Sequence, residues 1–339
     1  IVHLKTTIGH DEAKRLAQTH QAILTHNTQW HTGFILTLSS KVKELPADLT
    51  QYAEDYVVLD TDIQFASRSY QDQKAEVRIA EDLVIGGEDN STWLMTGPCS
   101  VESKAQIETI AALCKTQDVR LIRGGCYKPR TSPYSFQGLG LEGLQILREV
   151  ADANDLKVIT EVRDASHVQD VIEHADIIQI GAKAMYDHGI LRACGNQSKP
   201  VLLKRGFNST LQEFVQAAEF ILSLGNPNVI LCERGIRTFE KATRFTLDLC
   251  GVSWLKEHCN LPIVVDPSHA IGYRFGVADL SRASFAMGID GLLIECHPNP
   301  SEAKSDAAQQ INPEMFSELA ASLRTVSYTH LTLPTTSCG

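Results

Sequence analysis

Charged and metal-binding side chains directly follow eight short apolar runs of this chain. The segments after the runs are Gly97-Pro-Cys-Ser-Val-Glu102, Arg123-Gly-Gly-Cys-Tyr-Lys-Pro-Arg-Thr131, Glu161, Gly181-Ala-Lys183, Lys204-Arg-Gly206, Cys232-Glu-Arg-Gly235, Asp266-Pro-Ser-His269 and Glu295-Cys-His297. If the runs are strands of one parallel barrel, their carboxyl ends meet at the same rim. The sequence therefore predicts a single active site to which all eight runs contribute.

One group of these side chains has the chemistry of metal ligands. It comprises Cys99, His269, Glu295, His297 and Asp306, with Asp266 and Glu161 as further carboxylates. One thiolate, one imidazole and two carboxylates around a cation suit Mn²⁺, Fe²⁺, Co²⁺ or Zn²⁺. An ion held in this way would act as a Lewis acid on a carbonyl group.

The other group is cationic and comprises Arg123, Lys128, Arg130, Lys183, Lys204, Arg205, Arg234 and Arg237. Arginine and lysine side chains that converge in a cleft bind phosphate or carboxylate through charge-assisted hydrogen bonds. We therefore expect one or two small polyanionic substrates.

Each residue taken alone also has a structural interpretation. Cys99 could be a buried thiol, His269 could orient a neighbouring group, and Glu295 could pair with an arginine. Lys204 could neutralise a carboxylate or could serve as a Schiff-base lysine. The functional interpretation is favoured because all these side chains share one predicted rim.

The elements that position these residues repeat along the chain. Apolar runs alternate with helical patterns, which indicates strand–helix units and a parallel sheet. The runs are 93–96, 119–122, 157–160, 176–180, 200–203, 228–231, 261–265 and 291–294. Eight units match an α/β fold of the TIM (β/α)8 barrel type, which usually has roughly 250 residues. A doubly wound sheet is disfavoured because no Gly-rich phosphate turn follows the first run.

Four segments are predicted. Residues 1–70 have strand patterns at 1–4, 33–38 and 56–59 and helical patterns at 11–24 and 47–56, which indicates a small α+β domain of the split βαβ type. Residues 71–91 form a connector with a hairpin against the barrel floor, and residues 92–326 form the barrel. Residues 327–339 contain no Lys, Arg, Asp or Glu and resemble a translated vector sequence, so we expect a non-native tail. Because the chain starts without methionine, we also expect that a few native residues precede Ile1.

Composition excludes several classes of protein. The formal net charge is −10, from 31 Lys and Arg against 41 Asp and Glu, whereas nucleic-acid binding relies on an excess of cations. No apolar run reaches the roughly eighteen residues of a membrane span. The nine cysteines form no CxxC or CxxH pair, so neither a disulfide framework nor a zinc ribbon is indicated. We predict a cytoplasmic enzyme that binds neither nucleic acid nor membrane.

The rim motifs resemble those of the 3-deoxy-D-arabino-heptulosonate 7-phosphate (DAHP) synthase family, type I beta. The matching motifs are Gly97-Pro-Cys-Ser-Val-Glu102, Arg123-Gly-Gly-Cys-Tyr-Lys-Pro-Arg-Thr131 and the stretch that follows it to Gly140, Gln179-Ile-Gly-Ala182, Lys199-Pro-Val-Leu-Leu-Lys-Arg-Gly206, Ile230-Leu-Cys-Glu-Arg-Gly-Ile-Arg-Thr-Phe-Glu240 and Val265-Asp-Pro-Ser-His269. The resemblance covers the chain from about Trp93 to Asn312. It implies a transferase that condenses phosphoenolpyruvate with erythrose 4-phosphate and water, releases phosphate and begins the shikimate pathway to aromatic amino acids.

The resemblance also implies binding roles for the matching residues. One divalent metal ion per subunit, with Mn²⁺ as the first candidate, would be held by Cys99, His269, Glu295 and Asp306. Phosphoenolpyruvate would be bound by Arg123, Lys128, Lys204 and Arg234, with support from Arg205 and Glu233. Arg130 and Thr131 would bind the phosphate of erythrose 4-phosphate.

The expected catalytic residues are Lys128, Glu161 and His269. Glu161 would orient the attacking water, or would instead form an ion pair with Lys128 or Arg123. Lys183 stands where the family usually has an arginine that binds phosphoenolpyruvate. Because lysine lacks the bidentate fork of arginine, we expect a weaker hold on that substrate.

Two other functions remain candidates. One is 3-deoxy-D-manno-octulosonate 8-phosphate synthase, a sister enzyme that uses arabinose 5-phosphate and has Lys-Ala-Asn-Arg-Ser where this chain has Lys128-Pro-Arg-Thr-Ser132. The other is a catalytically silent barrel that senses a ligand.

The N-terminal segment resembles the ferredoxin-like (ACT-like) regulatory domain of some family members. This implies feedback inhibition by tyrosine or phenylalanine, and the alternative is a packing or oligomerisation module without a ligand. The family further implies a homo-oligomer, a tetramer or a dimer.

Overall fold

The computed structural model describes residues 1–88, 91–128, 132 and 134–331. Within these ranges the strands are β1 (Val2–Leu4), β2 (Ile23–His26), β3 (Phe34–Thr37), β4 (Ala53–Tyr56), β5 (Glu76–Ala80), β6 (Leu83–Gly86), β7 (Trp93–Gly97), β8 (Leu121–Arg123), β9 (Lys157–Val162), β10 (Ile177–Ile180), β11 (Val201–Lys204), β12 (Val229–Glu233), β13 (Ile263–Val265) and β14 (Gly291–Glu295). The α-helices are α1 (His10–Thr19), α2 (Lys104–Thr116), α3 (Leu141–Ala153), α4 (Val168–His174), α5 (His188–Gly195), α6 (Leu211–Leu222), α7 (Leu249–His258), α8 (Pro267–Ile271), α9 (Val277–Ala286) and α10 (Pro313–Leu331).

The last eight strands, β7 to β14, form a closed parallel barrel in which β14 pairs with β7. Each of the eight apolar runs of the sequence overlaps one of these strands. Helices lie between consecutive strands, as strand–helix units require. The structure thus confirms the TIM barrel.

Side chains alternate along each strand, so every second residue points into the barrel. One apolar layer inside the barrel takes a residue from each strand: Met95, Leu121, Ile159, Ile177, Leu202, Ile230, Val264 and Leu293. Two residues further along each strand come Gly97, Arg123, Glu161, Gln179, Lys204, Cys232, Asp266 and Glu295. The register that buries the apolar layer therefore also directs the polar layer into the barrel, toward the carboxyl ends of the strands.

The hairpin of β5 and β6 lies below the apolar layer. Val77, Leu83 and Ile85 are fully buried and belong to the same cluster as the residues inside the barrel. Gly86 has a φ of +93°, and a Cβ added there would lie 2.3 Å from the carbonyl oxygen of Ala75. The hairpin thus closes the floor of the barrel with its own apolar side chains.

The N-terminal strands form an antiparallel sheet in the order β2-β3-β1-β4, which is the order of a ferredoxin-like fold. Its helix is α1, and a 3-10 turn at Ala47–Leu49 stands where a second helix would be. Leu4, Leu16, Leu36 and Leu49 pack in its core.

Two helix predictions in this region were too long. The predicted helix 11–24 ends at Thr19, and β2 follows, because Gln21 has a φ of +53° that breaks the helix and Ile23 pairs with Thr37. The predicted helix 47–56 is replaced by the 3-10 turn and by β4, whose Tyr56 pairs with Val2. Pairing with β1 therefore overrides the local helical pattern, and the last strand lies at 53–56 instead of 56–59.

A buried carboxylate joins the segment after the N-terminal sheet to the barrel. Glu219 on α6 accepts backbone N–H hydrogen bonds from Gln64 at 2.7 Å, Ala66 at 2.8 Å and Phe65 at 3.2 Å. Burial raises the pKa of Glu219 to about 7, although the three N–H donors favour its ionised form. The segment 64–66 is therefore fixed to the outer surface of one barrel helix.

One helix of the barrel is shorter than its sequence pattern. The pattern at 240–256 predicts a continuous helix, but α7 begins only at Leu249, where the side chain of Asp248 accepts a hydrogen bond from the N–H of Gly251. Residues before it form a loop in which Ile236 bridges to Thr246. This loop brings side chains to the rim.

At the C-terminus, α10 continues to Leu331, five residues into the predicted tail, and residues 332–339 lie outside the described ranges. None of the described helices combines the length and the apolar character that crossing a bilayer requires.

Leu83→Ala tests whether the hairpin stabilises the barrel. Because the side chain is fully buried in the cluster, we expect the free energy of unfolding to fall by about 2–5 kcal/mol. Denaturant unfolding measures it, and Leu141→Ala, at an exposed leucine, is the control with an expected loss below about 1 kcal/mol. Equal losses in the two variants would contradict the role of the hairpin.

Candidate active site

Four side chains with metal-binding atoms converge at the carboxyl end of the barrel. Cys99, His269, Glu295 and Asp306 each offer one ligand atom, and these atoms all lie within 4.8 Å of one another. The Sγ of Cys99 is 3.4 Å from Oδ2 of Asp306. Nε2 of His269 is 3.4 Å from Oε1 of Glu295 and 3.7 Å from Oδ2 of Asp306. The four residues that sequence reasoning assigned to a metal are thus brought together.

Neighbouring side chains hold these four groups in place. Nδ1 of His269 lies 2.7 Å from Oδ2 of Asp266, so Nε2 is left facing the cluster. Glu295 accepts hydrogen bonds from Nη1 of Arg123 at 2.8 Å and from Nε2 of Gln309 at 2.6 Å. Metal ligands usually have such partners, because they fix the orientation of the ligand atoms.

Burial and charge set the ionisation of the cluster. Burial, reinforced by Glu295, raises the pKa of the Cys99 thiol to about 12. Burial lowers the pKa of His269, although Asp266 and Glu295 favour its charged form. Burial opposes ionisation of Asp306, but His269 and Arg244 outweigh it and hold that pKa below its usual range. The pKa of Glu295 is lowered against burial by His269 and Arg123.

Without a cation, the cluster therefore holds two carboxylates, an imidazole and a protonated thiol. This arrangement is anionic and buried, and a divalent cation would both compensate the carboxylates and favour the thiolate. The donor set fits Mn²⁺, Fe²⁺, Co²⁺ or Zn²⁺.

A cavity of about 280 Å³ opens onto the cluster, and seven of its fifteen lining residues are basic. Its basic lining residues are Lys128, Arg163, Lys183, Lys204, Arg234, Arg237 and Arg244. Nζ of Lys128 donates to Sγ of Cys99 at 3.2 Å, so the cationic wall touches the metal-binding group directly. Burial opposes the charge of Lys128, but the acidic side chains around it outweigh burial and raise the lysine pKa. The cavity suits small anions.

Two aromatic rings support the arginines of this cavity. Phe207 and Phe245 stack with their centroids 5.4 Å apart. The guanidinium of Arg234 lies 4.4 Å from the centroid of Phe245, and that of Arg237 lies 5.1 Å from the centroid of Phe207. Nη1 of Arg234 is buried and has no hydrogen-bond partner among the described residues, which leaves a donor for a ligand.

Lys204 lies between the cavity and a buried carboxylate. Its Nζ binds Oδ2 of Asp266 and lies 3.5 Å from Nδ1 of His269. Asp266 is fully buried, and burial opposes its ionisation, but His269 and Lys204 outweigh it and hold its pKa well below the usual value. This ion pair favours the charge-compensating interpretation of Lys204 over the Schiff-base interpretation.

Three of the predicted substrate-binding residues lie behind the cavity wall. Nη1 of Arg205 binds Glu233 at 2.9 Å and Asp248 at 2.8 Å. Arg123 donates to Glu295 and to the carbonyl oxygen of Pro98, and its Nε is buried without a partner among the described residues. Arg205, Glu233 and Arg123 thus contact residues that shape the site.

Glu161 lines the cavity, as predicted, but its ion-pair partner differs from the two that sequence suggested. Within the described ranges, the cation within 4.0 Å of its carboxylate is Arg163, through Nη1, whereas Lys128 and Arg123 act on it only through longer-range charge interactions. Nε2 of Gln179 donates to its other oxygen at 3.2 Å. His297, a further metal candidate, points to Glu102 at 3.6 Å and stays outside the four-residue cluster. Arg130 and Thr131 lie outside the described residues.

Sequence reasoning missed Arg163, Arg244, Phe207, Phe245 and Gln309. Arg163 could have been found, because it lies two residues after Glu161 and therefore points to the same side of the strand. Arg244 and Phe245 come from the loop that replaces the first part of the predicted helix, and no local pattern marks them. No local sequence pattern marks Gln309 as a site residue either.

Comparisons with known proteins agree with this geometry. The profile of the DAHP synthetase I family matches residues 69–331. A phospho-2-dehydro-3-deoxyheptonate aldolase of Thermotoga maritima is 49% identical over 231 residues, 68% of each chain. A 2-dehydro-3-deoxyphosphooctonate aldolase of Syntrophotalea carbinolica is 32% identical over 68% of this chain and 88% of its own.

Solved structures are similar as well. The crystal structure of the phospho-2-dehydro-3-deoxyheptonate aldolase (DAHP synthase) of Thermotoga maritima matches 97% of both chains with a TM-score of 0.78 and 38% identity. A truncated form of the 3-deoxy-D-arabino-heptulosonate 7-phosphate synthase from the same organism matches 78% of this chain and 96% of its own, with a TM-score of 0.72 and 40% identity. The barrel, the cationic cavity and these matches together show that the chain belongs to the DAHP synthetase I family.

Proposed function

We propose that this protein is a 3-deoxy-7-phosphoheptulonate synthase, which condenses phosphoenolpyruvate with erythrose 4-phosphate and water to give DAHP and phosphate. The observation that carries the proposal is the direct contact between an anionic four-ligand cluster and a cation-lined cavity on the rim of the barrel. This arrangement suits a reaction between two phosphorylated substrates, one of which has an aldehyde. Family membership and the 49% identical relative support it. The product is that of the first step of the shikimate pathway.

One divalent metal ion per subunit, with Mn²⁺ as the first candidate, would be held by Cys99, His269, Glu295 and Asp306. When bound, such an ion supplies Lewis acidity toward a carbonyl oxygen, here the aldehyde oxygen of erythrose 4-phosphate. The buried negative charge of the cluster and its orienting partners Asp266 and Gln309 support this assignment.

The cationic side chains bring two anionic substrates together. Lys128, Lys183, Lys204 and Arg234 line the cavity and would bind the phosphate and carboxylate of phosphoenolpyruvate. Arg123, Arg205 and Glu233 would position these groups through the buried ion pairs described above. The predicted contact of Arg130 and Thr131 with the phosphate of erythrose 4-phosphate stays a prediction.

The reaction proceeds by two bond-forming steps. C3 of phosphoenolpyruvate attacks the aldehyde carbon, and positive charge develops at C2. Water adds at C2 and gives up a proton, and the resulting hemiketal phosphate expels inorganic phosphate. Glu161 lines the cavity and would orient this water and accept its proton. Lys128 would stabilise the oxygen that forms from the aldehyde. The two protons of the added water balance the reaction, because one ends on this oxygen and the other leaves with inorganic phosphate.

The alternative sister reaction uses arabinose 5-phosphate. Relatives named 2-dehydro-3-deoxyphosphooctonate aldolase are about 30% identical, below the 49% of the heptonate enzyme, so the heptonate reaction is favoured. A phosphate-release assay with each sugar phosphate in turn decides between the two, and no release with either sugar would favour a ligand-sensing barrel.

We further propose that the enzyme is cytoplasmic and forms a homo-oligomer, a tetramer or a dimer. Membership of the family supports the homo-oligomer.

Feedback inhibition by tyrosine or phenylalanine is the proposed role of the N-terminal ferredoxin-like sheet. The sheet is tied to the barrel: Thr25 and Asn27 donate to the carbonyl oxygens of Ser223 and Gly225, just after α6, at 2.7 Å each. A ligand that binds to the sheet can therefore affect the barrel through these hydrogen bonds and through Glu219.

Cys99→Ala is expected to lower phosphate release by at least roughly a thousandfold, because the cluster loses one of its four ligands and the Lewis acid with it. The assay contains phosphoenolpyruvate, erythrose 4-phosphate and Mn²⁺, and thermal unfolding checks that the fold is retained. Cys250→Ala, at an exposed cysteine, is the control and should stay fully active. Full activity of Cys99→Ala would exclude the four-ligand assignment.

Asp266→Asn is expected to weaken binding of Mn²⁺ about 10- to 100-fold, because His269 loses the carboxylate that orients its ring. Calorimetric titration with the metal alone measures the affinity. Asp279→Asn, at an exposed aspartate on α9, should bind Mn²⁺ like the unchanged protein. Unchanged affinity in Asp266→Asn would show that the aspartate does not position the ligand.

Inhibition by tyrosine and phenylalanine, added separately, tests the regulatory proposal. A variant lacking residues 1–62 keeps the segment 64–66 that Glu219 binds, and we expect its sensitivity to the inhibitor to fall by roughly tenfold or more. Equal inhibition of the full chain and the variant would place the effect in the barrel. No inhibition of either protein would favour the packing module.

A further inference from the structure

We propose that Arg163 binds the phosphate group of a substrate and supplies, from the neighbouring strand, the guanidinium fork that Lys183 lacks. The inference rests on the proposed function, since it names a further binding residue of the same cavity.

The strand register places Arg163 next to the segment that carries Lys183. Val162 at the end of β9 pairs with Ile180 at the end of β10. Arg163 and Gly181 follow these two residues, so Arg163 lies one strand away from Gly181 and close to Lys183. Both basic residues line the cavity. The two positions therefore face the same volume from adjacent strands.

Alternation along β9 directs Arg163 inward. Ile159 belongs to the apolar layer inside the barrel, Glu161 lies two residues above it, and Arg163 lies two residues above Glu161. The Arg163 side chain is 19% exposed, so it is largely withdrawn from solvent yet open to the cavity.

The described residues do not saturate the guanidinium of Arg163. Within the described ranges, the carboxylate within 4.0 Å of it is Glu161, whose Oε1 is 4.0 Å from Nη1, too far for a hydrogen bond. Its Nε is buried and has no hydrogen-bond partner there. A buried donor without a partner is costly, and the side chain lines the cavity, so a turn of the guanidinium toward a phosphate oxygen there would satisfy it.

Glu161 cannot turn to pair more closely without disturbing its own contacts. Its Oε2 accepts from Gln179, and a Cβ built on Gly181 would lie 2.0 Å from its Oε1. The carboxylate is thus packed on the backbone of Gly181. Arg163 remains free to direct its donors toward the cavity.

Arginine and lysine contribute differently to such a site. The guanidinium binds two phosphate oxygens at once with fixed geometry, whereas the ammonium of Lys183 acts as a point charge. A lysine at 183 beside an arginine at 163 therefore retains both the charge and one fork in this wall of the cavity.

The test compares the two positions in steady-state kinetics with Mn²⁺ present. For Arg163→Ala we expect the KM of one phosphorylated substrate to rise about 10- to 100-fold, with kcat changed by less than about threefold. KM values measured for phosphoenolpyruvate and for erythrose 4-phosphate identify the substrate whose phosphate is bound. Arg163→Lys keeps the charge but loses the fork, so its KM should lie between that of the unchanged protein and that of Arg163→Ala.

The decisive variant is Arg163→Ala combined with Lys183→Arg. If the two positions hold the same phosphate, this double variant should recover most of the lost affinity, because the fork returns from the adjacent strand. Arg192→Ala, at an exposed arginine on α5, is the control and should leave both KM values unchanged. Thermal unfolding confirms that each variant is folded.

Unchanged KM values in Arg163→Ala and Arg163→Lys would overturn the inference. So would a fall in kcat without a change in KM, since Arg163 would then act through Glu161, and so would a double variant no better than Arg163→Ala. Calorimetric titration of the unchanged protein with phosphoenolpyruvate and with inorganic phosphate distinguishes a failure of the Arg163 inference from a failure of the proposed function. If the unchanged protein neither binds phosphoenolpyruvate nor releases phosphate, the proposed function itself fails.

Discussion

Every second side chain on a barrel strand faces inward. Because of this spacing, the residues that fill the apolar core also determine which residues face the active site. The layer from Met95 to Leu293 must be apolar because it fills the barrel above the hairpin of β5 and β6. Once that layer is fixed, Arg123, Lys204, Asp266 and Glu295 have no other direction to face. A shift of one residue in β8, β11, β13 or β14 would remove both an apolar contact and a polar group of the site.

Burying so many charges is tolerable because they are paired. Arg123 binds Glu295, Lys204 binds Asp266, and Arg205 binds Glu233 and Asp248. Burying ions has a desolvation cost that close pairing offsets only in part, so such pairs add little to stability. Their arrangement separates two regions with opposite character: an anionic cluster that suits a cation, and a cationic cavity that suits phosphates. The net charge of −10 conceals this cavity, because the excess of acids lies elsewhere.

The barrel and most of its rim were predictable from the sequence, because both depend on short-range periodicity. Apolar runs mark the strands, and the residues after each run mark the site. The N-terminal region was less predictable, since Tyr56 and Ile23 are placed in strands by pairing with distant residues and not by their local pattern. Arg244 and Gln309 could not have been predicted, because the hydrogen bond that joins them links two loops that are distant in sequence. Arg163 could have been predicted, because the alternation of side chains that places Glu161 in the site also places the residue two positions later there.

The contact between Glu161 and Gly181 restricts how this protein can evolve. The carboxylate occupies the space that any side chain at position 181 would need. Replacement of the glycine therefore requires that residue 161 be shortened or turned away, so the two positions cannot change independently. Arg163 and Lys183 follow the same two strands, so a change at either member of this pair also alters the backbone or carboxylate beside them.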